Sequence, residues 1–185
     1  MRGLIASLLF AASPALADGP LPFDVGGAFN LTDQYGQTRT QADPDGHAQL
    51  LFFGYANCPG ICTAALPLMI DTVEAMAAEG VTITPVMITV DPTRDTAENM
   101  TEVLSAYHPD FIGLRGDPTA LEAAYKAFSI ERTLAYEDPE FGPIYTHGSF
   151  VYLLDARGEV LTLLMPVMDA ETALRITRKY IAPGS

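Results

Sequence analysis

Apolar residues along the chain follow two spacings, which predict strands in some segments and helices in others. Continuous or alternating apolar runs predict strands over residues 29–33, 37–40, 49–55 and 82–90. The run at 49–55 is continuously apolar after Gln49, which is typical of a strand that is buried on both faces. Apolar residues at helical spacing from Leu66 to Ala77 predict a helix that ends at Gly80.

The second half of the chain continues this alternation. Helices are predicted over residues 96–107, 117–128 and 169–180, and a β-hairpin over 149–154 and 159–164. Asp95 is positioned to cap the first of these helices, and Pro118 suits the first helical position of the second. Residues 129–146 show no periodicity, which predicts a long irregular loop of the kind that often carries function.

The order of the predicted elements indicates an α/β fold. Two strands come first, then a strand–helix–strand–helix unit, a short helix, and finally a hairpin and a helix. The alternation implies a parallel central sheet with helices on both faces, to which the closing hairpin adds antiparallel strands. A thioredoxin-like fold has this order. We therefore predict a central mixed sheet with helices on both faces and an added N-terminal β-hairpin.

Composition limits the classes of protein to which the chain can belong. Its 185 residues suit one domain, and a hydrophobic fraction of 49% against 18% charged residues excludes a disordered chain. The formal net charge is −13, and no nucleic-acid partner is expected because such binding needs a basic surface.

The first residues have the layout of a secretory signal peptide. A positive start is followed by the apolar run Leu4 to Ala12 and by a small-residue motif that ends at Ala17. Pro14 interrupts the run long before the ~20 apolar residues that a membrane span needs, so no transmembrane anchor is predicted. We expect a signal peptide over 1–17, cleaved after Ala17, and an exported domain over 18–185. A bacterial signal of this kind implies the periplasm, where thiols tend to be oxidised.

The two cysteines, Cys58 and Cys62, lie at the junction of a predicted buried strand and a predicted helix. If Pro59 opens the helix and Cys58 caps it, the helix dipole favours a thiolate at Cys58. Residues four apart on a helix share a face, with Cα atoms about 6 Å apart, which a disulfide can bridge. Two thiolates are also a soft ligand pair for Cu(I) or Zn(II). The pattern leaves open a metal site, a redox pair and, as the plain alternative, two inert core cysteines.

A third ligand would have to come from elsewhere in the chain. His47 follows a turn and His108 ends a helix, whereas His147 precedes a strand at the end of the predicted long loop. In a thioredoxin-like sheet this loop approaches the first turn of the cysteine helix, so His147 can converge on the two sulfurs. The alternative is an ordinary loop histidine bonded to backbone. Met165 and Met168 are further soft donors, although methionine near a strand end usually fills a core.

Several segments resemble one known family. They are residues 29–34, 52–59, 88–96, 111–114 and 147–158. In these segments the chain resembles the Sco/SenC family of thioredoxin-fold copper proteins, which serve cytochrome c oxidase assembly. The resemblance implies that Cys58, Cys62 and His147 bind Cu(I) or Cu(II). It also implies that the partners are the copper-site subunit of the oxidase, or another copper chaperone, and a thioredoxin-like reductant.

The chain departs from the pattern of that family near the metal site. Gly60 replaces an acidic residue of the cysteine motif, Thr63 replaces its second proline, and Thr146 replaces an Asp that commonly precedes the distal histidine. Many members also carry an uncleaved membrane anchor. Because two carboxylates are missing beside the metal, we expect weaker stabilisation of Cu(II) than in the family pattern.

Three functions are consistent with this reading of the sequence. The first is a periplasmic copper chaperone that delivers copper to the binuclear copper site of cytochrome c oxidase, or reduces the cysteines of that site. The second is a thiol–disulfide oxidoreductase in which Cys58 is the nucleophile and Cys62 the resolving thiol, so whether the protein is an enzyme stays open. The third is a redox or copper sensor that uses the same pair.

Overall fold

In a computed structural model that describes residues 21 and 23–181, a central sheet carries helices on both faces. The predicted signal peptide, 1–17, lies outside these residues. Within them, no helix combines the length and the apolar character needed to cross a bilayer.

Nine strands and four helices make up the described part of the chain. The strands are β1 (Asn30–Asp33), β2 (Thr38–Thr40), β3 (Ala48–Gly54), β4 (Ile83–Thr89), β5 (Ile112–Arg115), β6 (Thr133–Asp138), β7 (Gly142–Thr146), β8 (Val151–Leu154) and β9 (Val160–Leu164). The helices are α1 (Cys62–Ala78), α2 (Ala97–Tyr107), α3 (Pro118–Ala127) and α4 (Ala170–Tyr180).

Seven strands form the main sheet in the order β2-β1-β5-β4-β3-β8-β9. β3, β4 and β5 are parallel to one another, whereas β1, β2, β8 and β9 join the sheet through antiparallel pairs. The predicted mixed sheet with an N-terminal hairpin and a closing hairpin is therefore confirmed.

The central strand β3 explains why helices cover both faces. All seven of its residues are buried. Leu50 and Phe52 belong to the apolar cluster that includes residues of α1, α2 and α4. Leu51 and Phe53 belong to the cluster on the opposite face, which includes residues of α3. Successive strand residues point to opposite faces, so a strand that is covered on both sides is almost entirely apolar, and Gln49 is the polar exception in β3.

The prediction of an irregular loop over 129–146 is wrong, because β6 and β7 form a separate antiparallel hairpin there. β6 is exposed along most of its length, so it lacks the buried–exposed alternation that identifies a strand. The carboxylate of Asp138 accepts the backbone N–H groups of Glu140 and Phe141 and thereby closes the turn. Pro143 fits in β7 because this strand has a free edge that needs no N–H donor.

Two further differences concern the segment around α2. Asp95 does not cap this helix; Thr96 does, and its hydroxyl accepts the N–H of Asn99 at 3.2 Å. Asp95 is buried instead against the end of the sheet. The sequence analysis also missed β5, which is only four residues long and is defined by its pairing with β4 and β1 rather than by any periodicity of its own.

Candidate metal centre

The two cysteines follow β3 directly, but only one of them is helical. Cys62 is the first residue of α1, whereas Cys58 lies in the cysteine loop, defined here as residues 56–61. The prediction that Pro59 opens the helix, with Cys58 at its cap, is therefore wrong. Gly60 is a poor helix residue, and its carbonyl accepts both the amide and the hydroxyl of Thr63, at 3.1 and 2.8 Å. The helix begins only after this turn.

The structure brings the predicted trio together. The sulfurs of Cys58 and Cys62 and one imidazole nitrogen of His147 all lie within 4.8 Å of one another. Both cysteines are free thiols; Cys62 is buried and Cys58 is half-buried. His147 follows the last residue of β7, so the hairpin that the sequence analysis missed carries the third group to the sulfurs.

The environment of His147 selects one ring nitrogen for the site. Nδ1 lies 2.9 Å from the carbonyl oxygen of Gly148, and a carbonyl can only accept, so Nδ1 donates and Nε2 is the nitrogen left for the site. The ring packs in T-shaped contacts against Phe52 and Tyr55, each with centroids 5.8 Å away. The imidazole is thus fixed by packing and by one hydrogen bond, as is usual for a metal-binding histidine.

The two thiols differ in acidity because they share one proton. A hydrogen bond from the Cys62 thiol holds the pKa of Cys58 well below its usual range, against the opposing effect of burial. A hydrogen bond with His147 lowers it further. The pKa of Cys62 is raised because its proton is held by Cys58 and because burial disfavours a second charge. Cys58 is therefore the more acidic of the two thiols, and Cys62 holds the shared proton.

Gly54 gives the sulfur of Cys62 its place beside the sheet. A Cβ at this position would lie 2.7 Å from the ring of Phe52 and 3.2 Å from the Cys62 sulfur. No side chain fits there without moving one of them.

Two residues of the site were missed by the sequence analysis. Tyr55 is buried, and its hydroxyl accepts the N–H of Tyr145 at 3.4 Å; burial, with smaller contributions from the cysteines, raises its pKa to about 12. The carboxylate of Asp95 accepts hydrogen bonds from the N–H of Ala56, at 3.1 Å, and from the hydroxyl of Thr89. It thereby connects the cysteine loop to the end of β4. The sequence offered one signal, since both residues lie in segments that carry the family resemblance.

A cleft of about 530 Å³ opens over the site between the cysteine loop and the β6–β7 hairpin. Cys58 and His147 line it, and most of its walls are apolar, including Ile61, Phe141 and Ile144. A molecule in the cleft would therefore meet the thiolate and the imidazole first, while Cys62 lies behind them.

Other donor groups lie away from this cleft. Asp43, Asp45 and His47 also place ligand atoms within 4.8 Å of one another. However, the carboxylate of Asp43 already accepts the N–H groups of Asp45 and His47 and the hydroxyl of Thr84. A metal would have to displace these bonds.

The other residues considered as ligands lie outside the trio of Cys58, Cys62 and His147. His108 is the C-cap of α2, and its Nδ1 accepts the N–H of Asp110. Met165 is exposed, whereas Met168 packs against the core on the side of α1.

The donor set favours copper over structural zinc. Two sulfurs and one imidazole nitrogen are soft and borderline donors that suit Cu(I) and Cu(II). A structural zinc site is closed by four protein donors, and the group formed by the described residues offers three.

Comparison with known proteins agrees with this geometry. The family model described as SCO1/SenC matches residues 17–182. A SCO2-like protein of Rickettsia felis is 36% identical over 140 residues, which cover 74% of this chain and 67% of the relative. The copper-bound structure of Bradyrhizobium japonicum ScoI has a TM-score of 0.73 and 29% identity, covering 85% of this chain and 99% of that one. Copper-bound yeast Sco1 has a TM-score of 0.75 and 30% identity, covering 87% and 92%.

Proposed function

Because this chain belongs to the SCO1/SenC family, we propose that it is a copper chaperone that holds copper through Cys58, Cys62 and His147. The observation that carries the proposal is the convergence of two sulfurs and one imidazole nitrogen within 4.8 Å, beside a cleft that Cys58 and His147 line. Copper is the cargo of the protein.

Copper capture follows from the acidity of the two thiols. Cys58 supplies a thiolate that is already formed, while the metal must displace the proton of Cys62. Release would run through the cleft. Because Cys58 and His147 line the cleft, a thiolate of the client can approach the metal from that side and replace the donors one at a time, without free copper.

The client and the compartment follow from the family and from the sequence. Sco family proteins are linked to cytochrome c oxidase assembly, so we infer that copper goes to the oxidase subunit that holds the binuclear site, or passes through another copper chaperone. From the expected signal peptide, 1–17, we infer that the domain 18–185 is exported to the periplasm. A thioredoxin-like reductant would keep Cys58 and Cys62 reduced there, since a disulfide between them would remove the site.

The test is a copper titration of the reduced protein, followed by absorbance and metal analysis. We expect one copper per chain, and no copper in the variant with both Cys58→Ser and Cys62→Ser. His147→Ala should weaken binding, whereas His108→Ala, a histidine outside the site, should leave it unchanged. Binding that survives loss of both cysteines, or that ignores His147→Ala, would refute the proposed site.

A second function is favoured by the unequal acidity of the two thiols. In thiol–disulfide exchange the Cys58 thiolate attacks one sulfur of a substrate disulfide and releases the other as a thiolate. Cys62 then loses its proton and attacks the Cys58 sulfur. This forms the internal disulfide and releases the reduced substrate, and a thioredoxin-like dithiol would restore the pair. The test is turnover of a disulfide peptide by the metal-free protein, which Cys58→Ser should abolish. If the protein binds copper but shows no turnover, the chaperone function is supported and the oxidoreductase function is refuted.

A further inference from the structure

The third group of the proposed site stands on a separate piece of the fold. Among the described residues, β6 and β7 pair with each other and with no strand of the main sheet. His147 immediately follows β7, whereas Cys58 and Cys62 follow β3 at the centre of the main sheet. The position of the imidazole relative to the sulfurs therefore depends on how the hairpin is attached.

Arg94 attaches the tip of the hairpin to the end of β4. One end of its guanidinium, Nε, donates to the carboxylate of Asp91, whose side chain is only 1% exposed. The other end donates to two hairpin carbonyls, from Nη1 to Phe141 and from Nη2 to Pro143 at 2.8 Å. The Arg94 side chain thus connects the buried Asp91 carboxylate to the backbone of the β6–β7 hairpin.

The surroundings of Arg94 show that the fit is close. Gly142 has a φ of +72°, and a Cβ there would lie 2.6 Å from Nη1 of Arg94. The guanidinium carbon lies 5.7 Å from the ring centroid of Tyr55, the same ring that packs against His147. Arg94 and the His147 imidazole therefore both pack against the Tyr55 ring.

Arg132 makes a second attachment at the other end of the hairpin. It precedes β6, and its Nε donates to the carbonyl of Val90, next to Asp91. Its guanidinium carbon lies 4.0 Å from the ring centroid of Tyr145 in β7, close enough for a strong cation–π contact. The two arginines hold both ends of the hairpin to the same turn after β4.

We propose that Arg94 and Arg132 are positioning residues, an arginine latch that presses the β6–β7 hairpin onto the end of β4 and thereby holds His147 against the two sulfurs. The effect on copper rests on the proposed function; the effect on the hairpin does not. The planar arginine fork holds its donors on three separate nitrogens and can span two carbonyls and a carboxylate, whereas the three donors of a lysine share one nitrogen. Loss of the latch leaves the cysteine pair intact and removes only the third donor.

The copper test is a double-mutant cycle. Arg94→Met should lower copper affinity about 10- to 100-fold, the range typical of groups that orient a ligand. In the His147→Ala background the same substitution should have no further effect, because the latch acts through that imidazole. Arg157→Met is the matched control, since it removes the same charge from a side chain that is 82% exposed on the β8–β9 turn. Arg94→Lys keeps the charge and should show an intermediate loss.

A second readout needs no metal. In the reduced, copper-free protein, Arg94→Met and Arg132→Met should speed amide hydrogen exchange across 133–146 and shift the imidazole resonances of His147. Protection of the β3 and β4 amides should stay unchanged, which also shows that the variants fold.

The outcomes separate the two proposals. Unchanged hairpin exchange, or an equal loss of affinity with and without His147, would overturn the latch. If the parent protein binds no copper, the proposed function fails, and the exchange and resonance changes alone decide the latch.

Discussion

Gly54 is the residue at which the fold and the metal centre constrain each other most directly. A Cβ at this position would lie 2.7 Å from the Phe52 ring and 3.2 Å from the Cys62 sulfur, which leaves no room for a side chain. Phe52 also packs against His147, so an added Cβ would press on Cys62 directly and on His147 through the Phe52 ring.

We therefore predict that Gly54→Ala lowers the free energy of unfolding by about 1 to 3 kcal/mol through overpacking. Copper affinity should fall in the same variant because Cys62 must move. Urea unfolding and copper titration measure the two effects. Gly60→Ala is the control for overpacking, since a Cβ there meets no atom within 4 Å and the free energy of unfolding should stay near the parent value.

Asp95 makes stability depend on pH in an unusual direction. Burial raises its pKa to about 6, although hydrogen bonds from Thr89 and the Ala56 amide oppose the shift. The folded pKa lies above the unfolded value, so the protonated carboxyl favours folding. This contribution is fully present below about pH 4 and is lost as the pH rises through about 6.

For Asp95→Asn we expect this loss to disappear, because an amide stays neutral. Between pH 4 and 7 the free energy of unfolding of the parent should fall by about 2 to 3 kcal/mol through Asp95, and that of the variant should not show this fall. Unfolding curves at a series of pH values measure the difference. Asp71→Asn, on the exposed side of α1, should follow the parent. A variant with the same pH dependence as the parent would contradict this assignment.

At the level of elements, the start of α2 separates the roles of two neighbouring residues. Thr96 caps the helix, while the carboxylate of Asp95 faces the cysteine loop. Thr96→Ala should cost about 1 kcal/mol of unfolding free energy, the usual value of an N-cap, and Thr96→Ser should restore most of it. Chemical unfolding measures both, and copper affinity should be unchanged, because the cap does not contact the site. A drop in affinity would mean that α2 positions the cysteine loop.

The β6–β7 hairpin shows why one element escaped the sequence analysis. β6 is exposed along most of its length, so burial imposes no period on Leu134, Tyr136 or their neighbours, and in β7 it is Tyr145 that packs against the core. By contrast β3, β4 and α1 are constrained by a covered face, and their predicted limits agree with the structure to within a few residues, apart from the start of α1. That start was wrong because Gly60 delays the helix.

At the scale of the whole molecule, copper should act as a ligand of the folded state. The trio joins the end of β3, the start of α1 and the end of β7, which meet only when the chain is folded. With free copper at 100 times its Kd, the reduced protein should gain about 2.7 kcal/mol of stability. Thermal unfolding with and without copper measures this, and the Cys58→Ser, Cys62→Ser variant should show no such gain. An equal gain in that variant would locate the copper elsewhere.

By itself the sequence determined the mixed sheet with its covered faces, because burial of a strand or helix face requires apolar residues at a regular spacing along the chain. It also placed both cysteines at the end of β3, since their separation in the chain is short. Only the tertiary structure decided that the imidazole of His147 reaches the sulfurs, that Asp95 faces the cysteine loop and that two arginines hold the hairpin. These contacts join residues far apart in the chain, and a local pattern carries no information about distance across the fold.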